Sequence, residues 1–182
     1  VNNSHGAVLT VANGFSNAGL IDLVQSASNF GATAFNLTAG TLTNSGTVRA
    51  SGTGGDPINF NAALTNTSTG TLDVSYSASV TNFTANAGTI TLTNNATLSN
   101  GSANLLNTGT IRGIGTLNLG GAGKALTNQG TIAAGNSPGT LTINGDLVLD
   151  GANPIVANRS VINVEIGGLT AGTQFDVVNV TG

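Results

Sequence analysis

A short motif recurs along the chain: Asn, any residue, Gly, Thr and then an aliphatic residue. Six copies occupy residues 17–21, 44–48, 68–72, 86–90, 107–111 and 128–132, with Leu20 replacing Thr in the first and Ser68 replacing Asn in the third. Their glycines are 27, 24, 18, 21 and 21 residues apart. Asn and Gly tolerate positive φ, which favours a turn. The Thr and the aliphatic residue that follow begin a short alternating run, which is typical of a strand. A repeat of this length is typical of solenoid and related repeat folds, so it constrains the fold more than any other feature of the sequence.

A repeat of about 22 residues cannot bury its own apolar face, whereas stacked copies can. We therefore predict an all-β chain folded as a parallel β-helix, or β-solenoid, of about eight coils, with equivalent strands about 4.8 Å apart. Residues 1–145 would form repeated coils, and residues 146–182 would form further coils or the start of a cap in the same domain. Two alternatives are a leucine-rich repeat, whose fixed leucine pattern is missing, and a β-sandwich, which does not explain the aligned repeats.

Aligning the copies gives three columns of equivalent residues. The aliphatic column is predicted to stack inside the solenoid and comprises Ile21, Val48, Leu72, Ile90, Ile111 and Ile132. The asparagine column is predicted to hydrogen-bond from coil to coil, as amide ladders do, and comprises Asn17, Asn44, Asn86, Asn107 and Asn128. A simpler interpretation is that Asn suits the turn. The third column begins Asp22, Arg49, Asp73, and alternation predicts that it faces solvent, with opposite charges side by side.

Composition excludes several functional classes. Only 6% of residues are charged, against about 25% in a typical domain. Four Lys and Arg residues and a pI near 4.5 argue against nucleic-acid binding. No apolar run approaches the roughly 18 residues of a membrane helix, so we expect no membrane span in this chain. The absence of cysteine excludes disulfides, thiolate metal sites and a thiol nucleophile.

The titratable residues do not form a recognisable catalytic pattern. Asp146 and Asp150 are the only acids close in sequence, and on one strand they would lie about 13 Å apart, too far to act on one bond. His5 stands alone near the first residue. Lys124 follows a glycine-rich run but lacks the Ser or Thr of a phosphate-binding loop. We therefore predict that the chain is not an enzyme and has no catalytic residue, cofactor or metal site.

The last third of the chain carries a family resemblance. Residues 130–147 read GTIAAGNSPGTLTINGDL and closely resemble the GNSPGTLTINGDL segment of bacterial autotransporter passengers and related β-strand-repeat surface proteins. The runs at 161–168 and 175–182 are also similar to that group, with Phe175 in place of the usual Tyr and Val178 in place of the usual Leu. The resemblance covers about 50 residues. It implies a right-handed parallel β-helix that is secreted or displayed on a bacterial surface.

Three functions are compatible with these features. The first is a non-catalytic structural segment of a bacterial surface protein, a stalk or adhesin-like passenger, whose partners are the rest of a longer chain and a host or matrix surface. The alternative is a self-assembling subunit of an extracellular filament or biofilm matrix. Its partner is the chain itself, stacked end to end through Phe175, Val177, Val178 and Val180, since the final run is apolar on both faces. A flat Thr-x-Thr surface for ice or crystalline carbohydrate is the third.

Overall fold

Consecutive strands of this chain pair in parallel with their equivalents one turn away. The computed structural model describes residues 6–26, 31–135, 138–151 and 159–182. These residues contain no helix, and their strands belong to one continuous sheet. The strands are β1 (Val8–Val11), β2 (Phe15–Asn17), β3 (Leu20–Gln25), β4 (Thr33–Asn44), β5 (Thr47–Gly52), β6 (Ile58–Asn66), β7 (Thr71–Val74), β8 (Ala78–Val80), β9 (Phe83–Asn86), β10 (Thr89–Ser99), β11 (Leu105–Asn107), β12 (Thr110–Asn128), β13 (Thr131–Ala134), β14 (Thr140–Leu149), β15 (Val161–Asn163) and β16 (Val177–Val180).

The register of pairing divides the sheet into three faces. Face 1 stacks β2, the ends of β4 and β6, β9, β11, and the ends of β12 and β14. Face 2 stacks β3, β5, β7, the starts of β10 and β12, β13 and β15. Face 3 stacks β1, the starts of β4 and β6, β8, the end of β10, the middle of β12, the start of β14, and β16. The fold is therefore a β-solenoid, and the β-sandwich alternative is wrong.

The aliphatic column forms the interior of face 2. Ile21 pairs with Val48, and the column continues rung by rung through Leu72, Ile90, Ile111 and Ile132 to Ile162. The rungs from Val48 to Ile132 are buried, while Ile21 is half-buried and Ile162 is partly exposed in the outer turns. Branched aliphatic side chains suit this pleated, buried surface.

The solenoid has about six turns, so the predicted number of about eight coils is too high. The seven rungs from Ile21 to Ile162 define six turns. Two causes reduce the number. The turn from Ile132 to Ile162 takes 30 residues rather than about 22, and residues 164–176 leave the solenoid path. Within that excursion Ile166 and Phe175 form an antiparallel bridge.

Faces 1 and 3 complete the core with aromatic and aliphatic columns. Phe35 stacks on Phe60 with ring centroids 4.7 Å apart, and Phe15 contacts Phe35 at 6.1 Å in a tilted arrangement. Towards the C-terminal turns the interior of face 3 becomes aliphatic, through Leu98, Leu117 and Ile143. All but Phe15 of these side chains are almost fully buried. The core is therefore a set of columns along the solenoid, in which each side chain contacts its equivalents one turn above and below.

Adjacent leucines in β11 give a matched test of this packing. Leu105 is 1% exposed, whereas Leu106 points outward and is 38% exposed. We expect Leu105→Ala to lower the free energy of unfolding by about 2–5 kcal/mol, because it leaves a cavity in the core. Leu106→Ala should change it by no more than about 0.5 kcal/mol. Urea denaturation followed by circular dichroism measures both values, and equal losses would contradict the assigned strand orientation.

Candidate functional site

A continuous ladder of buried asparagines runs along face 1. The Nδ2 of each asparagine donates to the Oδ1 of the next at 2.7–2.8 Å, in the order Asn17, Asn44, Asn66, Asn86, Asn107 and Asn128. Each Nδ2 also donates to the backbone carbonyl of the glycine that closes its own turn. All six are buried. Within the described residues no buried side-chain nitrogen or oxygen lacks a partner.

The ladder differs from the sequence alignment at two rungs. The alignment assigns Ser68 to the third copy, but the structure places Asn66 in the ladder, because the turn to Gly70 is two residues longer there. At the C-terminal end the Nδ2 of Asn128 donates to the Oγ of Ser160 at 2.7 Å. Asn66 could have been found from the sequence if the motif had been allowed a longer turn. Ser160 lies too far from any recognisable copy.

From the second copy onward, the motif glycine is required by close approach rather than by its φ angle. The glycines of the motif copies do not adopt positive φ. Instead, a Cβ at Gly109 would lie 2.0 Å from the carbonyl oxygen of Gly88 one turn away, and one at Gly130 would lie 2.1 Å from that of Gly109. Side chains at these positions would push successive turns apart and lengthen the ladder hydrogen bonds.

The outward column of face 2 carries the charges that alternation predicts. Asp22 pairs in register with Arg49, and Arg49 with Asp73. The Arg49 guanidinium donates to both carboxylate oxygens of Asp22, with Nε 3.0 Å from Oδ1. These hydrogen bonds lower the pKa of Asp22. The pair therefore stabilises the fold at neutral pH, and that contribution is lost as the pH falls through the pKa of Asp22. Because both side chains are partly exposed, the contribution is small.

The Thr-x-Thr pairs do not form a plane. Thr41 and Thr43 lie on face 1, Thr89 and Thr91 lie on face 2, and Thr140 and Thr142 lie on face 3. A regular column of threonines stands on the outside of face 2, formed by Thr47, Thr71, Thr89, Thr110 and Thr131, and the column beside it carries the charges. A shorter column on face 3 consists of Thr97, Thr116 and Thr142. The threonines thus form separate rows on different faces rather than one flat array.

The residues suggested for end-to-end contact lie in the last turn. Val178 pairs with Leu141 and Val180 with Ile143, so each continues one of the two inward columns of face 3. Val178 packs against the core, whereas Val180 is 42% exposed. Val177 continues the outward column beside Thr140. Phe175 precedes β16 and lies in the antiparallel bridge to Ile166.

Asp176 fixes this last turn in a way that the sequence did not reveal. The carboxylate is buried, and its two oxygens accept hydrogen bonds from the backbone N–H groups of Gly139 and Glu165, both at 2.8 Å. It therefore joins the start of β14 to the excursion that follows β15. Two further acids have structural partners: Asp146 accepts from the N–H of Gly123, and Asp150 accepts from the amide of Gln129.

A groove of about 390 Å³ lies at the corner between faces 2 and 3. The groove is formed by three stacked corner segments: the segment after β5, the segment after β7 and the bend in the middle of β10. It is lined by Gly55, Pro57, Ser75, Tyr76, Ser77, Asn94, Asn95 and Ala96. Asn94 and Asn95 both adopt a left-handed φ of 56°, at a shift in the register of β10 against β12. The Tyr76 hydroxyl donates to the carbonyl of Gly54 one turn away.

The described residues contain no group of three or more His, Asp or Glu side chains that could hold a metal ion. His5 and Ser137 lie outside those residues. The same part of the chain has no helix long and apolar enough to cross a membrane.

Comparison with protein families, with characterised proteins and with solved structures finds no match. The resemblance to autotransporter passengers therefore remains a prediction from residues 130–182.

Two asparagines allow the ladder to be tested against a matched control. Asn107→Ala removes the acceptor of Asn86 and the donor to Asn128, both buried. Asn61 donates to Asn36 at the same 2.8 Å from one turn to the next, but on an exposed surface. We expect Asn107→Ala to cost about 2–4 kcal/mol of unfolding free energy, since buried polar groups lose their partners. Asn61→Ala should cost about 0.5 kcal/mol or less. Similar values from chemical denaturation would show that burial adds nothing to the ladder.

Proposed function

We propose that this chain is a non-catalytic structural segment of a bacterial extracellular or cell-surface protein, a stalk or adhesin-like passenger. The observation that carries the proposal is the asparagine ladder, which continues without a break from Asn17 to Asn128. Together with the aliphatic column it joins every turn to the next on the inside. Such a solenoid is a rigid spacer whose length grows by about 4.8 Å with each added turn.

Two further features support a location outside the cell. The chain has no cysteine, so its folding does not depend on the redox state of its surroundings. Each turn pairs only with its neighbours, so folding can propagate from one turn to the next as a chain emerges on the far side of a membrane. The resemblance of residues 130–182 to passenger proteins supports the same assignment.

Surface labelling tests the proposal. Antibodies raised against the purified chain should bind intact cells of the source organism or precipitate the protein from its culture medium. External protease should remove the signal from intact cells. A cytoplasmic protein of the same cells provides the control, because it should be labelled only after permeabilisation. If the chain also required permeabilisation, the assignment to the exterior would be wrong.

A self-assembling filament subunit is the second candidate, and the distribution of exposed apolar residues favours it. In the first turn the large exposed apolar residues are Val8, Leu9, Leu20 and Val24. The last turn exposes a larger set, comprising Val148, Leu149, Val161, Ile162, Val164, Ile166, Leu169 and Val180. Between the first and last turns, Leu106 is the one large apolar residue that is exposed in the described part of the chain. Strand edges with apolar side chains add further strands readily.

Charged substitutions at the last turn test this second function. Val161 and Val180 lie on different faces and are 41% and 42% exposed. If chains stack end to end, light scattering should rise with concentration, and Val161→Lys with Val180→Lys should abolish the rise, because edge charges block strand addition. Leu106→Lys, on the side of the solenoid, should leave it unchanged. A parent chain that stays monomeric at every concentration would exclude the filament and leave the spacer.

A further inference from the structure

We infer that the groove between faces 2 and 3 binds a neutral saccharide. The inference rests on the proposed surface function and names a ligand class for it. The groove combines an apolar patch with hydrogen-bonding edges: Tyr76 and Pro57 supply the patch, and Asn94, Asn95 and Ser77 supply the polar groups. Its volume of about 390 Å³ is within the range of small-molecule sites.

The tyrosine is held in a fixed position. Tyr76 packs against the core and is half-buried, and its hydroxyl donates to the Gly54 carbonyl. The ring is therefore anchored at both ends and loses little conformational entropy when a ligand packs against it. The phenolic oxygen can still accept a hydrogen bond from a ligand hydroxyl.

The polar groups of the groove have unused hydrogen-bonding capacity. The Asn95 side chain is exposed and makes no hydrogen bond within the described part of the chain. The Ser77 Oγ accepts from the backbone N–H of Thr97, and its own hydroxyl hydrogen is still available to a ligand. Asn94 makes one long bond of 3.4 Å, to the Ser75 carbonyl. Amides and hydroxyls offer donors and acceptors side by side, which matches the hydroxyl rim of a sugar.

The charge around the groove selects against anionic ligands. The residues that line it are uncharged, and the charged residue between the lining residues Gly55 and Pro57 is an acid, Asp56. An anion would lose hydration there without gaining an ion pair. A sugar ring without charge has C–H groups on its faces and hydroxyls at its edge. It can therefore place a face against Tyr76 and Pro57 while its hydroxyls meet Asn95 and Ser77.

The left-handed backbone at Asn94 and Asn95 opens this corner. Both residues lie at a φ of 56°, a left-handed conformation that asparagine adopts more readily than most non-glycine residues. Here they turn the chain between the two halves of β10 and place both amides at the groove.

Tyrosine fluorescence tests saccharide binding in this groove. Tyr76 is the only tyrosine and the chain has no tryptophan, so its emission reports on the groove alone. The probes are glucose, galactose, mannose and N-acetylglucosamine, with galacturonate as the charged counterpart of galactose. We expect at least one neutral sugar to change the Tyr76 emission saturably with a Kd below about 10 mM, and galacturonate to bind more weakly than galactose.

Two variants locate the binding site. Asn95→Gly removes the free amide while glycine accepts the left-handed φ, so the fold should persist. It should weaken binding about fivefold, as expected for the loss of one hydrogen bond. Asn61→Ala, outside the groove, should leave the Kd unchanged. No emission change with any neutral sugar, stronger binding of galacturonate than of galactose, or an unchanged Kd in Asn95→Gly would each overturn the inference. None of these results bears on surface labelling, so the proposed location is tested separately.

Discussion

The hydrogen bond between buried asparagine side chains of successive turns is the interaction on which this structure depends. A primary amide removed from water is costly unless its donors and its acceptor are satisfied. Between Asn17 and Asn128 every intermediate amide receives a hydrogen bond from one neighbouring turn and gives one to the other. Each turn therefore stabilises the next only in the correct register, since a slip of one residue would bury unpaired amides and expose the aliphatic column.

The remaining features of the repeat follow from this ladder. From the second copy onward, the glycine that follows the asparagine lets the backbones of neighbouring turns approach closely, as Gly109 does against the carbonyl of Gly88. The threonine that follows pairs in an outward column, and the aliphatic residue after it enters the core. Charges are few, and Asp22 and Arg49 pair across turns. Such a solenoid varies its turns at the corners while its interior stays regular, which is why the groove beside Tyr76 can form without disturbing the core.

The sequence predicts the parts of this structure that repeat and misses the parts that do not. The columns containing Ile111 and Asn107 follow from aligned motif copies, because side chains alternate with a period of two. Asn66 is hidden by a turn two residues longer than the others, and Ile162 follows a turn of 30 residues. The groove and the buried Asp176 involve segments whose spacing is irregular. Their proximity depends on how separate turns meet in space, which no local pattern encodes.

Hydrogen exchange of the asparagine side-chain amides, measured by NMR, tests whether the buried ladder holds the turns together. We expect slow exchange for the Nδ2 protons of Asn44, Asn66, Asn86 and Asn107, because they are buried and bonded from turn to turn. The amide of Asn61, bonded at the same distance on an exposed surface, should exchange much faster. Equal exchange rates for the two groups would contradict the claim that a buried amide ladder holds the turns together.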